Sequence, residues 1–244
     1  AARWVRDPMR FASLRWGSGD LAERAAGLVR SSDLVLLSHA REEQALEAAF
    51  GAGPTAAVVV PPAVPGVVPP SAVDPPFAAF ALCVGRIEPL KNSLGVLEAA
   101  DALGVPVLFV GALPGLRHAG YARRFLSRLE RSPSLHLGPL PSPEVSALMR
   151  RARVGVLASW TEVMGRVSVE AALEGAAVVA SDVGFLPDLL SGPGLTFFPP
   201  GDDAGLRAAL GTAWAQGRPD GELAASARAL TWEVVGPRLL HALG

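Results

Sequence analysis

One pattern repeats along the sequence from residue 79 onward: a short apolar run is followed by a longer stretch with helical spacing. The apolar runs lie at 79–85, 106–111, 134–138, 153–159, 176–182 and 194–200. The helical stretches lie at 92–103, 120–131, 143–152, 165–175, 185–191 and 203–216. Because the runs are apolar almost throughout, both faces of their sheet must be covered, which is typical of parallel strands joined by helices. The sequence therefore predicts an α/β fold with a Rossmann-like doubly wound parallel sheet, in a domain that spans 77–230.

The residues before this domain contain a shorter βαβ pattern. Strands are predicted at 33–39 and 56–62, with a helix at 42–51 between them. Residues 1–60 are too few to close a hydrophobic core, so we expect a partial second α/β domain that needs a partner surface or further chain. The first residues lack the long apolar region of a signal peptide. Without an initial methionine, we expect a trimmed terminus or a fragment.

Two segments flank the larger domain. The proline-rich stretch 61–76 is predicted to be an extended, stiff linker that joins no sheet, because proline fixes φ and lacks an N–H donor. The stretch 231–244 is predicted to be an amphipathic helix. Its apolar face is expected to contain Trp232, Val235, Leu239 and Leu240.

Charge and composition exclude several classes of protein. A formal net charge of −1 provides no basic surplus to neutralise nucleic-acid phosphates. Prolines interrupt the apolar runs before any reaches membrane-spanning length, so no transmembrane helix is expected. Cys83 is the single cysteine, which excludes an intrachain disulfide scaffold and fits a reducing cytoplasm. The histidines show no catalytic pattern, and His39 is expected at the surface or packed at the start of a helix.

Two cations follow the first strand of the larger domain, in the stretch VGRIEPLKN. Lys91 lies at the start of the next helix. An anion bound there would therefore meet Arg86, Lys91 and the positive end of the helix dipole. The alternative is that both side chains are ordinary solvated charges in a surface loop.

Two glutamates stand eight positions apart in the stretch SWTEVMGRVSVEAALEG. Glu162 follows a predicted strand, Gly165 permits a close approach of the backbone, and Glu170 lies in the next helix. A carboxylate suits two hydroxyls on adjacent carbons, because it accepts both as charge-assisted hydrogen bonds. The alternative places Glu170 and Glu174 on a solvated helix face. That alternative fits Glu174 better than Glu170.

These stretches together resemble the C-terminal half of a retaining GT-B glycosyltransferase of the large family 4. The resemblance rests on VGRIEPLKN, on SWTEVMGRVSVEAALEGAAVVASDVG and on FFPPGD. Glu162 and Glu170 match that family's paired glutamates, E-x7-E. The segment from Ser31 to Gly51 resembles the end of the family's N-terminal domain, and the closing stretch TWEVV resembles its last helix. In such proteins this helix crosses back toward the first domain, so we expect 231–244 to pack against 1–60.

The resemblance implies a role for each candidate residue. Arg86 and Lys91 would hold the donor diphosphate, and Glu170 would hold the ribose hydroxyls. Glu162 would contact the donor sugar as the catalytic residue. The backbone amides of Val163, Met164 and Gly165 would line the phosphate and the sugar.

No metal and no other cofactor are expected, because fixed cations and a helix terminus can stabilise the leaving diphosphate. The sequence contains no Asp-x-Asp metal signature, and GDD at 201–203 is predicted to cap a helix.

The sequence departs from the family pattern at a few positions. Gly184-Phe185 stands where the family often has two glycines, Asp188 where it often has glutamate, and Met164 where it often has phenylalanine. These departures bear on sugar specificity more than on nucleotide binding. Nothing before residue 30 resembles the glycine-rich loop or the histidine of the family's N-terminal domain.

The predicted function is the transfer of a sugar from a nucleoside-diphosphate donor to a glycan, lipid or small-molecule acceptor, with retention of configuration. One alternative is a non-catalytic nucleotide-sugar-binding subunit that needs a partner chain, and a weaker one is a GT-B sugar-nucleotide epimerase. No nucleic-acid partner is expected. We expect the protein in the cytoplasm, either free or at the inner face of the membrane, with any membrane contact made by the absent half.

Overall fold

The computed structural model describes residues 19–50, 56–67, 69 and 74–243, without the side chains of 19–22 and 50. The expectations for the first residues of the chain and for 70–73 of the proline-rich stretch lie outside the described residues. The described residues form two compact units. One comprises those up to Ala63 together with those from Leu230 onward, and the other comprises Val64–Ala229.

The larger unit contains a six-stranded parallel sheet, as the alternating pattern predicts. Its strands are β3 (Ala81–Val84), β4 (Val107–Val110), β5 (Leu135–His136), β6 (Val154–Leu157), β7 (Ala177–Ser181) and β8 (Leu195–Phe198). Their order is β5-β4-β3-β6-β7-β8. The first strand, β3, therefore lies in the middle of the sheet, β4 and β5 follow on one side of it, and β6, β7 and β8 follow on the other side. This reversal between β3 and β6 is the switch point at which doubly wound sheets bind ligands, beyond the carboxyl ends of the strands.

Helices connect these strands and cover the sheet. They are α3 (Ser93–Leu103), α4 (Ala119–Leu129), α5 (Ser142–Arg151), α6 (Arg166–Leu173), α7 (Leu186–Leu189), α8 (Asp203–Gln216) and α9 (Glu222–Arg228). Two short 3-10 turns, Pro89–Lys91 and Leu116–His118, precede α3 and α4. As predicted, GDD caps a helix: Asp202 precedes α8, and its Oδ1 accepts a hydrogen bond from the amide of Gly205 at 2.9 Å.

The core of the larger unit follows from the alternation of side chains along each strand. Cys83 and Phe109, which are paired across β3 and β4, belong to the buried cluster that also includes residues of α3, α4 and α8. Gly155 of β6 has its Cα hydrogen toward α6, where a Cβ would lie 2.8 Å from the Cβ of Ala171. Successive residues of a strand point to opposite faces, so a strand covered on both sides must be apolar at nearly every position.

The smaller unit contains a parallel pair of short strands, β1 (Val35–Leu37) and β2 (Ala57–Val59). The helices α1 (Gly19–Ser31), α2 (Arg41–Phe50) and α10 (Trp232–Leu243) belong to the same unit. The four residues predicted to share the apolar face of the last helix are buried to different degrees, and Trp232 is 50% exposed and Leu240 is 72% exposed. Burial instead follows Val235 and the partly buried Leu239, four residues apart, because a helix returns to the same face after about four residues.

The proline-rich stretch is packed more closely than an isolated linker would be. Ala63 and Val64 are buried, and Val64 forms an isolated β-bridge, although the sequence predicted a stretch that joins no sheet. Both residues keep a backbone N–H, so the argument from proline does not apply to them. The division between the two compact units falls between these residues.

Candidate functional site

The loop after β3 places Lys91 at the carboxyl edge of the sheet. The 3-10 turn Pro89–Lys91 ends at Asn92, which has a left-handed φ of 51°, and α3 begins at Ser93. The Lys91 side chain is 25% exposed, and its Nζ donates a close hydrogen bond to Oε1 of Glu162. The structure thus joins two predicted site residues that are 71 positions apart in the sequence.

Glu162 lies in the loop after β6, the strand that pairs with β3. Its side chain is 17% exposed, and its Oε1 accepts a second hydrogen bond from Oγ of Ser159 at 2.8 Å. The amide of Trp160 donates to the carbonyl of Leu90 at 2.9 Å. This bond ties the loop of Glu162 to the loop of Lys91, so the ion pair does not depend on the two long side chains alone.

Arg86 lies on the same loop as Lys91 but extends toward solvent, with its side chain 67% exposed. Its Nη2 lies 3.0 Å from Oε1 of the buried Glu88. The geometry of this pair does not qualify as a hydrogen bond. We name Arg86, Lys91 and Glu162 together the charged rim. Among the described contacts, none links Arg86 directly to the other two residues of the rim.

The segment between the two glutamates contacts the chain just before α7. Met164 is buried and Val163 is exposed, and the carbonyl of Val163 accepts a hydrogen bond from the amide of Phe185 at 2.7 Å. Gly165 has a φ of 68°, and it starts α6 in the left-handed conformation that glycine adopts readily. A Cβ at Gly184 would collide with the carbonyl oxygens of Glu162 and Val163. Gly184 therefore lets this chain segment approach the Glu162 loop.

Glu170 lies in α6 and lines a cavity of about 230 Å³, which we name the strand-end cavity. Its wall includes Val84, the last residue of β3, together with Ser142, Val145 and Met149 of α5. Burial raises the pKa of the Glu170 carboxyl, and the nearby Arg166 guanidinium partly opposes that shift. Nη2 of Arg166 is 3.8 Å from Oε1 of Glu170, so the pair is loose.

The family described as glycosyl transferases group 1 matches residues 79–216, which contain the charged rim and Glu170. That stretch is more than half of the 244-residue chain. The chain belongs to the glycosyl transferases group 1 family. A comparison with curated proteins finds no match.

Solved structures support the fold of a GT-B glycosyltransferase. The sucrose-phosphate synthase of Thermosynechococcus elongatus is similar with a TM-score of 0.77 at 21% identity, over 95% of this chain and 64% of that one. HepE of Anabaena, in complex with UDP and glucose, is similar with a TM-score of 0.72 at 19% identity, over 95% of this chain and 69% of that one. An α,α-trehalose-phosphate synthase (UDP-forming) of Burkholderia vietnamiensis is similar with a TM-score of 0.68 at 14% identity, over 93% of this chain and 64% of that one. The chain thus spans about two thirds of the length of these proteins.

Within this group 1 glycosyltransferase chain, the prediction for Glu174 is wrong. Its side chain is only 7% exposed and forms a two-pronged ion pair with Arg150, Nε to Oε2 at 2.8 Å and Nη2 to Oε1 at 2.9 Å. Oγ of Ser146 also donates to it. Helical spacing alone suggested a solvated face, but α5 packs on that face of α6 and brings Arg150 to it.

Two residues near the site were missed by the sequence reasoning. Glu88 is buried beside Arg86, and the only signal in the sequence is an acid two positions after the arginine. Ser159 is fully buried and bonds Glu162, and a serine three positions before a candidate glutamate is too common to be noticed.

The histidine and cysteine singled out in the sequence have structural surroundings, and the described residues contain no metal-binding cluster. The imidazole Nδ1 of His39 accepts a hydrogen bond from the amide of Arg41 at 3.1 Å, as expected for a residue at a helix start. Burial raises the pKa of the Cys83 thiol to about 12, and the charge of Lys91 partly opposes that shift. Within the described ranges, no group of three His, Cys, Asp or Glu side chains could hold a metal ion. Among the helices of those same ranges, none is long and apolar enough to cross a bilayer.

Proposed function

We propose that this chain is the donor-binding part of a family 4 glycosyltransferase that moves a sugar from a nucleoside-diphosphate donor with retention of configuration. One observation carries the proposal. Lys91 and Glu162 meet at the carboxyl edge of the sheet, at the point where the strand order reverses between β3 and β6. Glu170, on the helix that follows Glu162, lines a cavity at the same edge. Doubly wound folds bind nucleotides at that edge.

The diphosphate is proposed to bind Arg86 and Lys91. Charge grows on the leaving diphosphate as the glycosidic bond breaks, and fixed cations stabilise that charge without having to reorganise. The start of α3, two residues after Lys91, adds the positive end of a helix dipole. These groups would do the work that a metal ion does elsewhere, so the proposed reaction needs no metal and no other cofactor.

The composition of the chain supports a specific role for Lys91. Lys91 is the only lysine among 22 basic residues, and the other basic residues are all arginine. An ammonium group is a compact charge on a flexible stem, whereas a guanidinium is a planar fork. The single lysine of this chain lies where the carboxylate of Glu162, in the loop after the neighbouring strand β6, comes within hydrogen-bonding distance.

Glu162 is proposed as the catalytic residue that contacts the donor sugar. In the protein without ligand its Oε1 is occupied by Lys91 and Ser159. A diphosphate on Lys91 would free part of this carboxylate for sugar hydroxyls. The backbone amides of Val163, Met164 and Gly165 are proposed to line the phosphate and the sugar.

Glu170 is proposed to hold the two ribose hydroxyls in the strand-end cavity. Burial raises the pKa of this carboxyl, which means that its charged form lacks part of the solvation it has in water. Two hydroxyl donors would replace that solvation. A carboxylate in a cavity whose wall combines apolar side chains with serines and charged groups is thus suited to a ligand with two adjacent hydroxyls.

The acceptor is proposed to be a glycan, a lipid or a small molecule that is recognised mainly by the N-terminal side of the GT-B fold. The proposed location is the cytoplasm or the inner face of the membrane. No nucleic-acid partner is proposed, since the net charge is −1.

A screen of nucleotides and nucleotide sugars for thermal stabilisation tests the proposal, because a ligand that binds the folded state raises the melting temperature. UDP and UDP-sugars come first, since HepE of Anabaena and the trehalose-phosphate synthase of Burkholderia vietnamiensis are both described with UDP. We expect stabilisation by at least one nucleoside diphosphate, followed by measurable donor turnover. Stabilisation without turnover in the presence of candidate acceptors would favour a non-catalytic binding subunit. No stabilisation by any nucleotide would contradict the proposal.

A further inference from the structure

A buried serine donates a hydrogen bond to the carboxylate of Glu162. Ser159 has no exposed surface, and its hydroxyl donates to Glu162 Oε1 at 2.8 Å. The carbonyl of Ser159 accepts a hydrogen bond from Oγ of Ser181, the last residue of β7, at 2.7 Å. Ser181 is buried as well. Ser159 therefore connects the end of β7 to the carboxylate of Glu162, with its backbone carbonyl bonded to Ser181 and its hydroxyl bonded to Glu162.

The two donors to Glu162 Oε1 differ in how firmly they are held. Lys91 reaches it through four methylene groups and carries a charge that a phosphate would attract. Ser159 reaches it through a short side chain whose backbone is fixed on both sides, by Ser181 and by the Trp160–Leu90 bond at 2.9 Å. If an anion drew Lys91 away, the hydrogen bond from Ser159 would remain to hold the carboxylate, among the contacts that the structure describes.

We propose that Ser159 is a positioning residue, which holds Glu162 in place while Lys91 exchanges its carboxylate partner for the donor diphosphate. The inference rests on the proposed function, in which Lys91 binds the diphosphate and Glu162 binds the donor sugar. Without Ser159, Glu162 follows Lys91 or turns toward solvent, and the contact with the sugar is lost although the phosphate contact remains. Loss of Ser159 therefore weakens the nucleotide sugar selectively.

The single lysine allows this geometry to be measured without any ligand. Labelling with ¹⁵N-lysine gives one side-chain ammonium signal in the NMR spectrum, because Lys91 is the only lysine. Its shift and its proton exchange with water report how firmly Glu162 is held against it. We expect Ser159→Ala to move this signal and to accelerate its exchange. Ser181→Ala, one bond further away, should produce a smaller change in the same direction.

Ser134→Ala is the matched control for these variants. Ser134 is also a buried serine, and its Oγ accepts a hydrogen bond from the amide of Val107 at 3.1 Å, in the other half of the sheet. Removing this hydroxyl costs one buried hydrogen bond but does not touch Glu162 or Lys91. The ammonium signal should be unchanged in Ser134→Ala, so a shift seen in Ser159→Ala would not be a general effect of lost stability.

Calorimetric titration with UDP and with a UDP-sugar supplies the second measurement. In Ser159→Ala we expect the UDP-sugar to bind about three- to tenfold more weakly, which corresponds to the loss of one hydrogen bond, and UDP to bind within about twofold of wild type. Both ligands should bind Ser134→Ala as they bind wild type.

The outcomes separate this inference from the proposed function. Equal weakening of both ligands in Ser159→Ala, or an unchanged ammonium signal, rejects Ser159 as a positioning residue and leaves the glycosyltransferase proposal standing. If wild type binds neither ligand, the proposed function fails, and the ammonium signal alone decides whether Ser159 holds Glu162 against Lys91. If Ser159→Ala does not fold, the same measurements on Ser181→Ala decide the question.

Discussion

The charged rim and the strand-end cavity lie at the same edge of one sheet, yet they hold their charges in opposite ways. In the rim, each charge lies close to one of opposite sign: Lys91 to Glu162, and Arg86 to Glu88. In the cavity, the pKa of Glu170 is raised by burial, and its nearest cation is 3.8 Å away. Each charge of the rim is thus compensated by a close opposite charge, whereas the Glu170 carboxylate in the cavity has only a loose partner.

This difference determines which existing contacts a ligand would have to replace in the rim and in the cavity. A diphosphate bound as proposed would compete with the Glu162 carboxylate for Lys91, so its affinity would depend on where that carboxylate goes. Ribose hydroxyls in the cavity would compete mainly with water. Binding at the rim would therefore depend on the exchange of one ionic partner of Lys91 for another, and binding in the cavity would depend on the solvation of the partly buried Glu170 carboxylate.

The largest expected effect is on the cations of the rim. Lys91→Ala and Arg86→Ala should each weaken a nucleoside diphosphate by about ten- to a hundredfold, because a charged hydrogen bond contributes about 1.5–3 kcal/mol. The bare nucleoside should bind nearly as before, since it has no phosphate. Calorimetric titration with both ligands checks this, and Arg207→Ala, an exposed cation of α8, is the matched control.

Cys83 reports whether these variants keep the rim folded. Because burial raises the pKa of its thiol to about 12, Cys83 should not react with alkylating reagents in the native protein. If Lys91→Ala exposes Cys83 to the reagent, its weaker binding reflects local unfolding rather than a lost charge. Equal weakening of the nucleoside and the diphosphate would also contradict the separation of rim and cavity.

The second effect concerns Glu174, which shares the cavity wall with Glu170 but is tied to Arg150. Glu174→Gln should lower the free energy of unfolding by about 1–3 kcal/mol, because it breaks a largely buried, two-pronged ion pair. Denaturant unfolding measures the change. Glu98→Gln, at an exposed position of α3, should leave the stability nearly unchanged. Similar stability losses in both variants would show that the Arg150 pair does not hold the cavity wall.

The smallest effect is expected for the stability of Glu170→Gln, and its sign follows from the raised pKa. A carboxyl with a raised pKa binds its proton more tightly in the folded state, so its contribution to stability falls as the pH rises above the ordinary range of glutamate. Glutamine has no such cost, and the variant should be more stable than wild type at neutral pH by about a few tenths of a kcal/mol.

This gain should vanish at acid pH, below the ordinary pKa range of glutamate, and thermal melts across pH measure it. The same variant should weaken the nucleoside and the diphosphate by similar factors of about two to ten, since both contain the ribose. A loss confined to the diphosphate would place Glu170 in the rim. A stability gain that grows toward acid pH would contradict the direction of the pKa shift.

Most strands and helices of the larger unit were predictable, because periodicity is a local property. The six predicted strands all occur, each shorter than its apolar run, since ladder pairing ends before the apolar residues do. The helix α9 was missed. It has only seven residues, and Leu223, Ala224 and Ala227 are buried where it packs on α6. Such a short helix is stabilised by its tertiary contacts, which local spacing does not contain.

The burial of charged residues was predicted less well than the secondary structure. Glu174 has the spacing of a solvated residue, but Arg150 of another helix neutralises it inside the protein. Glu88 looks like an ordinary loop acid and is buried. In both cases a nearby cation lowers the cost of removing a carboxylate from water. The cation of Glu88 is Arg86, two positions away on the same loop, whereas the cation of Glu174 comes from another helix, which no pattern within one segment reveals.

The sequence by itself determined the βα alternation, the parallel sheet and the residue types at the strand ends, because each depends on side chains close together along the chain. Only the tertiary structure decided that Lys91 meets Glu162 while Arg86 lies beside Glu88. The contact between Lys91 and Glu162 follows from the strand order, which places β6 next to β3 although β4 and β5 lie between them in the sequence. Ionic contacts act over a few ångströms in space, so the order of the strands decides which charges come within reach.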